Sequence, residues 1–235
     1  MTLSKKHSNK LNTDRKPGAF YLILALIMLG VICLEFVWAY ALEPAVFHVS
    51  VDSYTAGQMI FHWILTCISW GCAAIFILYI AKKNIGFSLF HTNNIFSFTL
   101  KTRLLCIIAL IGCVVFSLSI SYVSWNGCKV FIEFRNLGIA QFIFQYIYYA
   151  FETFLFFLII VFAQKTFEAW FGHAYFPYGG VIVALTWGLG HILSKGSVST
   201  GIIAAIDGFV YGIIYLLTNR DAKTSYILLF ICFIL

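Results

Sequence analysis

Residues 137–163 read LGIAQFIFQYIYYAFETFLFFLIIVFA, a run in which Glu152 is the single charged residue. A helix needs about 20 mostly apolar residues to cross the ~30 Å hydrocarbon core of a bilayer. The apolar residues are continuous and do not alternate with polar ones, so the run predicts a membrane-spanning helix and not a strand of a barrel.

The rest of the chain repeats this pattern, with polar segments between apolar runs. We predict an all-α fold, a polytopic transmembrane helix bundle with six full spans and a short C-terminal seventh segment. The full spans are residues 19–42, 57–81, 103–123, 137–163, 178–194 and 198–217. Residues 226–235 reach only about 15 Å as a helix, so they form a half-span or the protein continues. Residues 1–18 are a basic tail, and residues 19–235 form one transmembrane domain.

The composition agrees with this fold. Of 235 residues, 62% are hydrophobic, 19% are aromatic and 10% are charged, whereas a soluble domain has roughly 25% charged residues. Such a chain is too apolar to be disordered. Its net charge of +6 is spread over loops instead of one patch. The predicted partner is therefore the lipid bilayer and not a nucleic acid.

The lysines and arginines predict an orientation. Twelve lie on the side of the N-terminal tail, including Lys165 in a predicted loop, and three lie on the other side: Lys129, Arg135 and Lys195. The positive-inside rule then places the N-terminus in the cytoplasm of an integral cell-membrane protein. We expect the first helix to stay uncleaved, because its apolar run exceeds the usual 7–15 residues of a signal peptide.

Ionisable residues within the spans are the first candidates for function, because each costs at least ~2.5–3.5 kcal/mol at the bilayer centre. The five are Glu35, His62, Glu152, His191 and Asp207. Glu35 and His62 lie near outer span ends, and we assign both to the membrane interface. The seven cysteines form no Cys-x-x-Cys pair. One Glu and one His fall short of a catalytic zinc site, so we predict neither metal nor cofactor.

Glu152 is the deepest candidate. Its neighbours are apolar or aromatic except Thr153, and no cation lies within one helical turn. This pattern is typical of a general base in a dry pocket, or of a neutral Glu hydrogen-bonded across helices. Glu152 lies about 22 Å and His191 about 5 Å below the outer face. Direct contact between them therefore requires the fifth span to tilt.

His191 follows Trp187, with Gly188 and Gly190 between them. The glycines leave room for another helix or for a substrate backbone. Asp207 lies in the middle of the next span, among small residues. It either hydrogen-bonds His191 and sets its tautomer, or caps a broken helix.

The order of these motifs resembles the CPBP family, which includes type II CAAX prenyl endopeptidases and bacteriocin-processing or self-immunity membrane proteins. The likeness covers residues 146–235. The family pattern is Glu-Glu-x-x-x-Arg, then Phe-x-x-x-His, then His-x-x-x-Asn. Glu152 matches a Glu of the first motif, with Thr153 at the second position, and Trp187 and His191 match the second motif. The resemblance implies that Glu152 and His191 activate a water.

The chain departs from that pattern at two places. No alignment of the first motif restores its Arg, and the last motif has Phe230 and Ile234 where the family has His and Asn. In the family, the His and the Asn of the last motif stabilise the oxyanion. Losing one such donor typically costs about 10²–10³ in rate, so we expect weak activity or none.

Three functions stay open at this point. The first is a glutamate-dependent intramembrane endopeptidase that acts on a membrane-embedded or lipidated peptide. The second is a non-catalytic scaffold, an immunity or regulatory partner of another membrane protein. The third is a small transporter with a carboxylate proton relay, which the absence of an internal repeat disfavours.

Overall fold

The computed structural model describes residues 2–90 and 99–235, with side chains from residue 17 onward. These residues are almost entirely helical and contain no strand, which confirms the predicted fold class. The α-helices are α1 (Thr2–Ile32), α2 (Leu34–Val37), α3 (Glu43–Phe47), α4 (Ala56–Ile85), α5 (Leu100–Trp125), α6 (Lys129–Phe171), α7 (Tyr178–Val183), α8 (Leu189–Lys195), α9 (Val198–Leu217) and α10 (Ala222–Ile234). Two π-helical turns, Trp38–Leu42 and Ala184–Gly188, join α2 to α3 and α7 to α8.

Within the described ranges, five helical segments are long and apolar enough to cross a membrane. They are Pro17–Phe47, Ala56–Ile85, Leu100–Trp125, Lys129–Phe171 and Val198–Leu217. The predicted fifth span differs, because it consists of α7, a π-helical turn and α8. Helix α10 is short, as predicted. Large apolar side chains on the outside of the bundle suit contact with lipid.

Helix α6 is the centre of the bundle, and it contains the run that predicted the fold. All side chains from Leu155 to Ala163 are buried around its whole circumference. A helix that is hydrophobic all round has to be covered on every side. Helices α1, α4, α7 and α10 pack along it and supply that cover.

A fold-back divides α6 at Gly138, whose backbone has φ 72° and ψ 171°. The ring centroids of Phe134 and Phe142 lie 5.2 Å apart across it. Tyr149 also donates a hydrogen bond to Glu133 at 2.7 Å, although 16 residues of straight helix span about 24 Å. Residues 129–137 therefore reverse and pack beside the helix that follows them.

The course of α6 corrects the predicted positions of two basic residues. Lys129 was predicted in an outer loop, but it lies in α6 and is only 6% exposed. A glycine with positive φ ends a helix at little steric cost, and Gly138 thereby turns the preceding segment into the bundle. Lys165 was also predicted in a loop. It lies in α6 as well, because that helix continues to Phe171.

Helices α7 and α9 approach each other closely enough for their backbones to touch. A Cβ on Gly212 would lie 2.3 Å from the Cα of Gly180. A Cβ on Gly188, in the π-helical turn that follows α7, would lie 2.5 Å from the Cα of Ala205 in α9. The room that the sequence predicted at Gly188 is therefore filled by helix α9 and not by a substrate.

Candidate functional site

Glu152 and Trp187 form the centre of the candidate site. Glu152 lies midway along α6, and its side chain faces the π-helical turn that carries Trp187. The indole Nε1 of Trp187 donates a hydrogen bond to Oε1 of Glu152 at 2.9 Å. Glu152 is 8% exposed. Its carboxyl is thus a buried group with a neutral donor from another helix.

His191 is held by the same tryptophan. Its Nδ1 lies 2.7 Å from the backbone carbonyl oxygen of Trp187. Since a carbonyl only accepts, Nδ1 carries the proton, and in the neutral ring Nε2 is the acceptor. The two rings meet edge to face with centroids 4.6 Å apart.

Glu152 and His191 make no hydrogen bond and no ion pair with each other, although both lie in the described part of the chain. The indole of Trp187 contacts both side chains, so the two residues lie much closer in depth than the sequence predicted, and that part of the prediction is wrong. Phe156 packs against that indole with ring centroids 4.7 Å apart, and Phe233 does so at 5.7 Å. The indole is therefore enclosed by aromatic side chains.

Asp207 and Thr153 stand outside this arrangement. Asp207 accepts a hydrogen bond from the hydroxyl of Ser117 at 2.8 Å, so it ties α9 to α5. The alternative in which Asp207 orients His191 is wrong, because His191 bonds the carbonyl of Trp187 instead. The hydroxyl of Thr153 is buried and has no hydrogen-bond partner among the described residues.

The sequence did not reveal a second polar cluster, which the fold-back at Gly138 creates. Glu133 accepts hydrogen bonds from Tyr149 at 2.7 Å, from Tyr146 at 3.0 Å and from Gln145 at 3.2 Å. Tyr149 lies one helical turn before Glu152. The signal was residues 135–138, an Arg, Asn and Leu followed by Gly, which is typical of a helix C-terminus.

Lys129 belongs to the same cluster. Its ammonium donates to the carbonyl oxygen of Phe233 at 2.9 Å. It also lies 4.4 Å from the ring centroid of Tyr149 and 4.6 Å from that of Phe233. The ring of Trp125 lies 5.6 Å away. A carbonyl and three aromatic faces therefore surround this buried cation, and the faces attract it through their quadrupoles.

A third cluster joins α2 and α3 to α4. His62 Nδ1 lies 2.9 Å from Oε2 of Glu43, and His62 Nε2 lies 3.7 Å from Oε1 of Glu35. His62 and Glu43 are each 3% exposed, so His62 is buried between helices and paired with carboxylates. The sequence signal was two carboxyls eight residues apart and a histidine at the same end of the next span. Among the described residues, no group of three or more His, Cys, Asp or Glu side chains is arranged to hold a metal ion.

The resemblance of Glu152, Trp187 and His191 to the CPBP motifs stays a prediction. Comparison with family models, with curated proteins and with solved structures finds no match to this chain.

Proposed function

We propose that this chain is a CPBP-like integral membrane protein without peptidase activity, which works by binding another membrane polypeptide. One observation carries the part of the proposal that concerns the missing peptidase activity. The indole of Trp187 hydrogen-bonds Glu152 and packs against His191.

The geometry argues against a shared water at these residues. A general base has to reach its proton within about 2.6–3.2 Å, directly or through one water. The indole contacts both side chains, and Phe156 packs behind it. The indole already donates to Oε1 of Glu152, so this carboxylate oxygen is not free to hold an attacking water.

The missing polar groups support the same conclusion. The family's terminal His and Asn correspond to Phe230 and Ile234 in this chain. An oxyanion needs preorganised donors, and these apolar side chains supply none.

Helix α5 is the surface on which the proposed partner would bind. Only 6% of the most apolar 18-residue stretch of α5 is buried inside the bundle, which is the smallest such share among the five spans. Its buried residue is Ser117, which bonds Asp207 of α9. The bundle thus presents almost a whole apolar helix to its surroundings.

Photo-crosslinking in the native membrane tests the proposal. A photoreactive amino acid replaces Ile108 on α5, which is 67% exposed, and the matched control replaces Ile75 on α4, which is 72% exposed. We expect one discrete protein adduct from position 108, which persists in E152Q and H191A and also co-purifies with the untreated protein in a fixed ratio. Equal labelling from both positions, or lipid adducts alone, would contradict a binding role.

A second candidate is a glutamate-dependent endopeptidase acting on a membrane-embedded or lipidated peptide. One observation favours it: within the described residues, Oε2 of Glu152 and Nε2 of His191 take part in no hydrogen bond. These two atoms would have to hold the attacking water after a shift of Trp187. Loss of peptide cleavage in both E152Q and H191A would support this candidate.

A further inference from the structure

A cavity of about 280 Å³ lies at the opposite end of α6 from the fold-back. Its wall includes Tyr21 of α1, the end of α4 with the turn after it, Lys165 of α6, and the region where α9 ends and α10 begins. The cavity is just smaller than the pockets that take drug-sized ligands. It therefore suits a compact polar group.

Positive side chains outnumber negative ones at this cavity. Arg220 pairs with Glu168 at 2.7 Å and also donates to the carbonyl oxygen of Ala174. Lys165 lines the same cavity, and the structure pairs it with no carboxylate among the described residues. Two cations and one carboxylate leave an excess positive charge inside a half-buried space.

The side chains around Lys165 give its ammonium only distant contacts. Its Nζ lies 5.7 Å from the ring centroids of both Tyr21 and Phe87, at the outer limit of a cation–π contact. An ammonium has three donors, and the contacts shown for this Nζ within the described residues are those two rings. Ser88 and Tyr215 line the same wall.

The cavity lies where a membrane surface would meet the bundle. Helix α4 ends at Ile85 and α9 ends at Leu217, both beside it. Lys82 and Lys83 are exposed in the last turn of α4. The predicted orientation makes this the cytoplasmic face, where anionic lipids attract basic residues by about 1 kcal/mol each.

We propose that this cavity binds a phosphoryl group, in which Lys165 and Arg220 meet the phosphate oxygens and Ser88 adds a hydroxyl donor. The ligand is the phosphate of an anionic lipid headgroup or a free phosphate. Lysine binds phosphate as a point charge, and arginine binds it through its planar fork. This inference does not depend on the function proposed above.

Native mass spectrometry of the purified full chain in detergent tests the proposal. The probes are dioleoyl phosphatidylglycerol, inorganic phosphate, and dioleoylglycerol as a lipid without phosphate. In K165Q we expect phosphatidylglycerol to bind about tenfold more weakly than in the wild type, because a charge-assisted contact is lost. The control K223Q removes an exposed charge outside the cavity, at the same end of the bundle, and should bind as the wild type does.

The outcomes separate the two ligand sources. Displacement of phosphatidylglycerol by millimolar inorganic phosphate assigns the site to free phosphate, and failure of displacement assigns it to the lipid. S88E places a carboxylate on an exposed turn, and it should abolish binding even if K165Q fails to fold. The proposal is overturned if K223Q weakens binding as much as K165Q, if S88E binds normally, or if dioleoylglycerol shows the same dependence on Lys165.

Discussion

The side chain of Trp187 donates a hydrogen bond to Glu152 at 2.9 Å, while its backbone carbonyl accepts one from His191 at 2.7 Å. One residue thus connects the two groups that the sequence singled out, and it also keeps them apart. The π-helical turn at Ala184–Gly188 places the indole there. Such turns are frequent at functional sites.

Replacing Trp187 with Phe should destabilise the protein. The aromatic packing stays, but the buried carboxyl of Glu152 loses its donor, so we expect a loss of about 1–3 kcal/mol. The matched control is W38F, since Trp38 donates only to the neutral hydroxyl of Ser69 at 3.1 Å in a half-buried place. Thermal unfolding in detergent measures both variants, and an equal fall in midpoint would contradict the structural importance of the bond to Glu152.

The fold-back at Gly138 predicts that alanine lowers stability at this glycine but not at Gly190. G138A should cost about 1–2 kcal/mol, because a left-handed conformation strains a residue with a Cβ. Gly190 lies in helix α8, and a Cβ there would meet no atom within 4 Å. G190A should therefore leave stability unchanged or slightly higher. Unfolding midpoints that fall equally in the two variants would argue against the reversal at Gly138.

The contact between α7 and α9 predicts a packing effect. G212A places a methyl group 2.3 Å from the Cα of Gly180, and overpacking of this kind typically costs about 1–3 kcal/mol. Gly112 on α5 has open space around it, so G112A is the control. We expect G212A alone to lower the unfolding midpoint, and an unaffected G212A protein would exclude this close helix contact.

The partner of Asp207 can be tested with double-mutant cycles. We expect D207N and S117A to be coupled by at least about 0.5 kcal/mol, since the two side chains are in contact. D207N and H191A should be additive within about 0.3–0.5 kcal/mol, as expected for groups without a shared partner. Coupling between Asp207 and His191 instead would restore the role that the sequence suggested.

The sequence predicts the helical membrane fold because apolar length alone determines it. It also identifies Glu152, Trp187 and His191 as residues of interest, because charged and polar groups are rare within spans. It does not predict that Trp187 bonds Glu152, since that bond depends on the π-helical turn, which no residue pattern marks clearly. The buried clusters of Lys129 and His62 were missed for a related reason. Span prediction treats residues near helix ends as facing water, whereas the chain reversal at Gly138 and the contact between α3 and α4 bury them.

We propose that the site formed by Glu152, Trp187 and His191 does not hydrolyse peptides. The most direct measurement is mass spectrometry of lipidated and membrane-embedded reporter peptides, incubated with the purified protein in nanodiscs. Wild type, E152Q and H191A are compared at equal concentration. We expect no cleavage products from any of the three proteins. A product that forms with the wild type and disappears in both E152Q and H191A would contradict it.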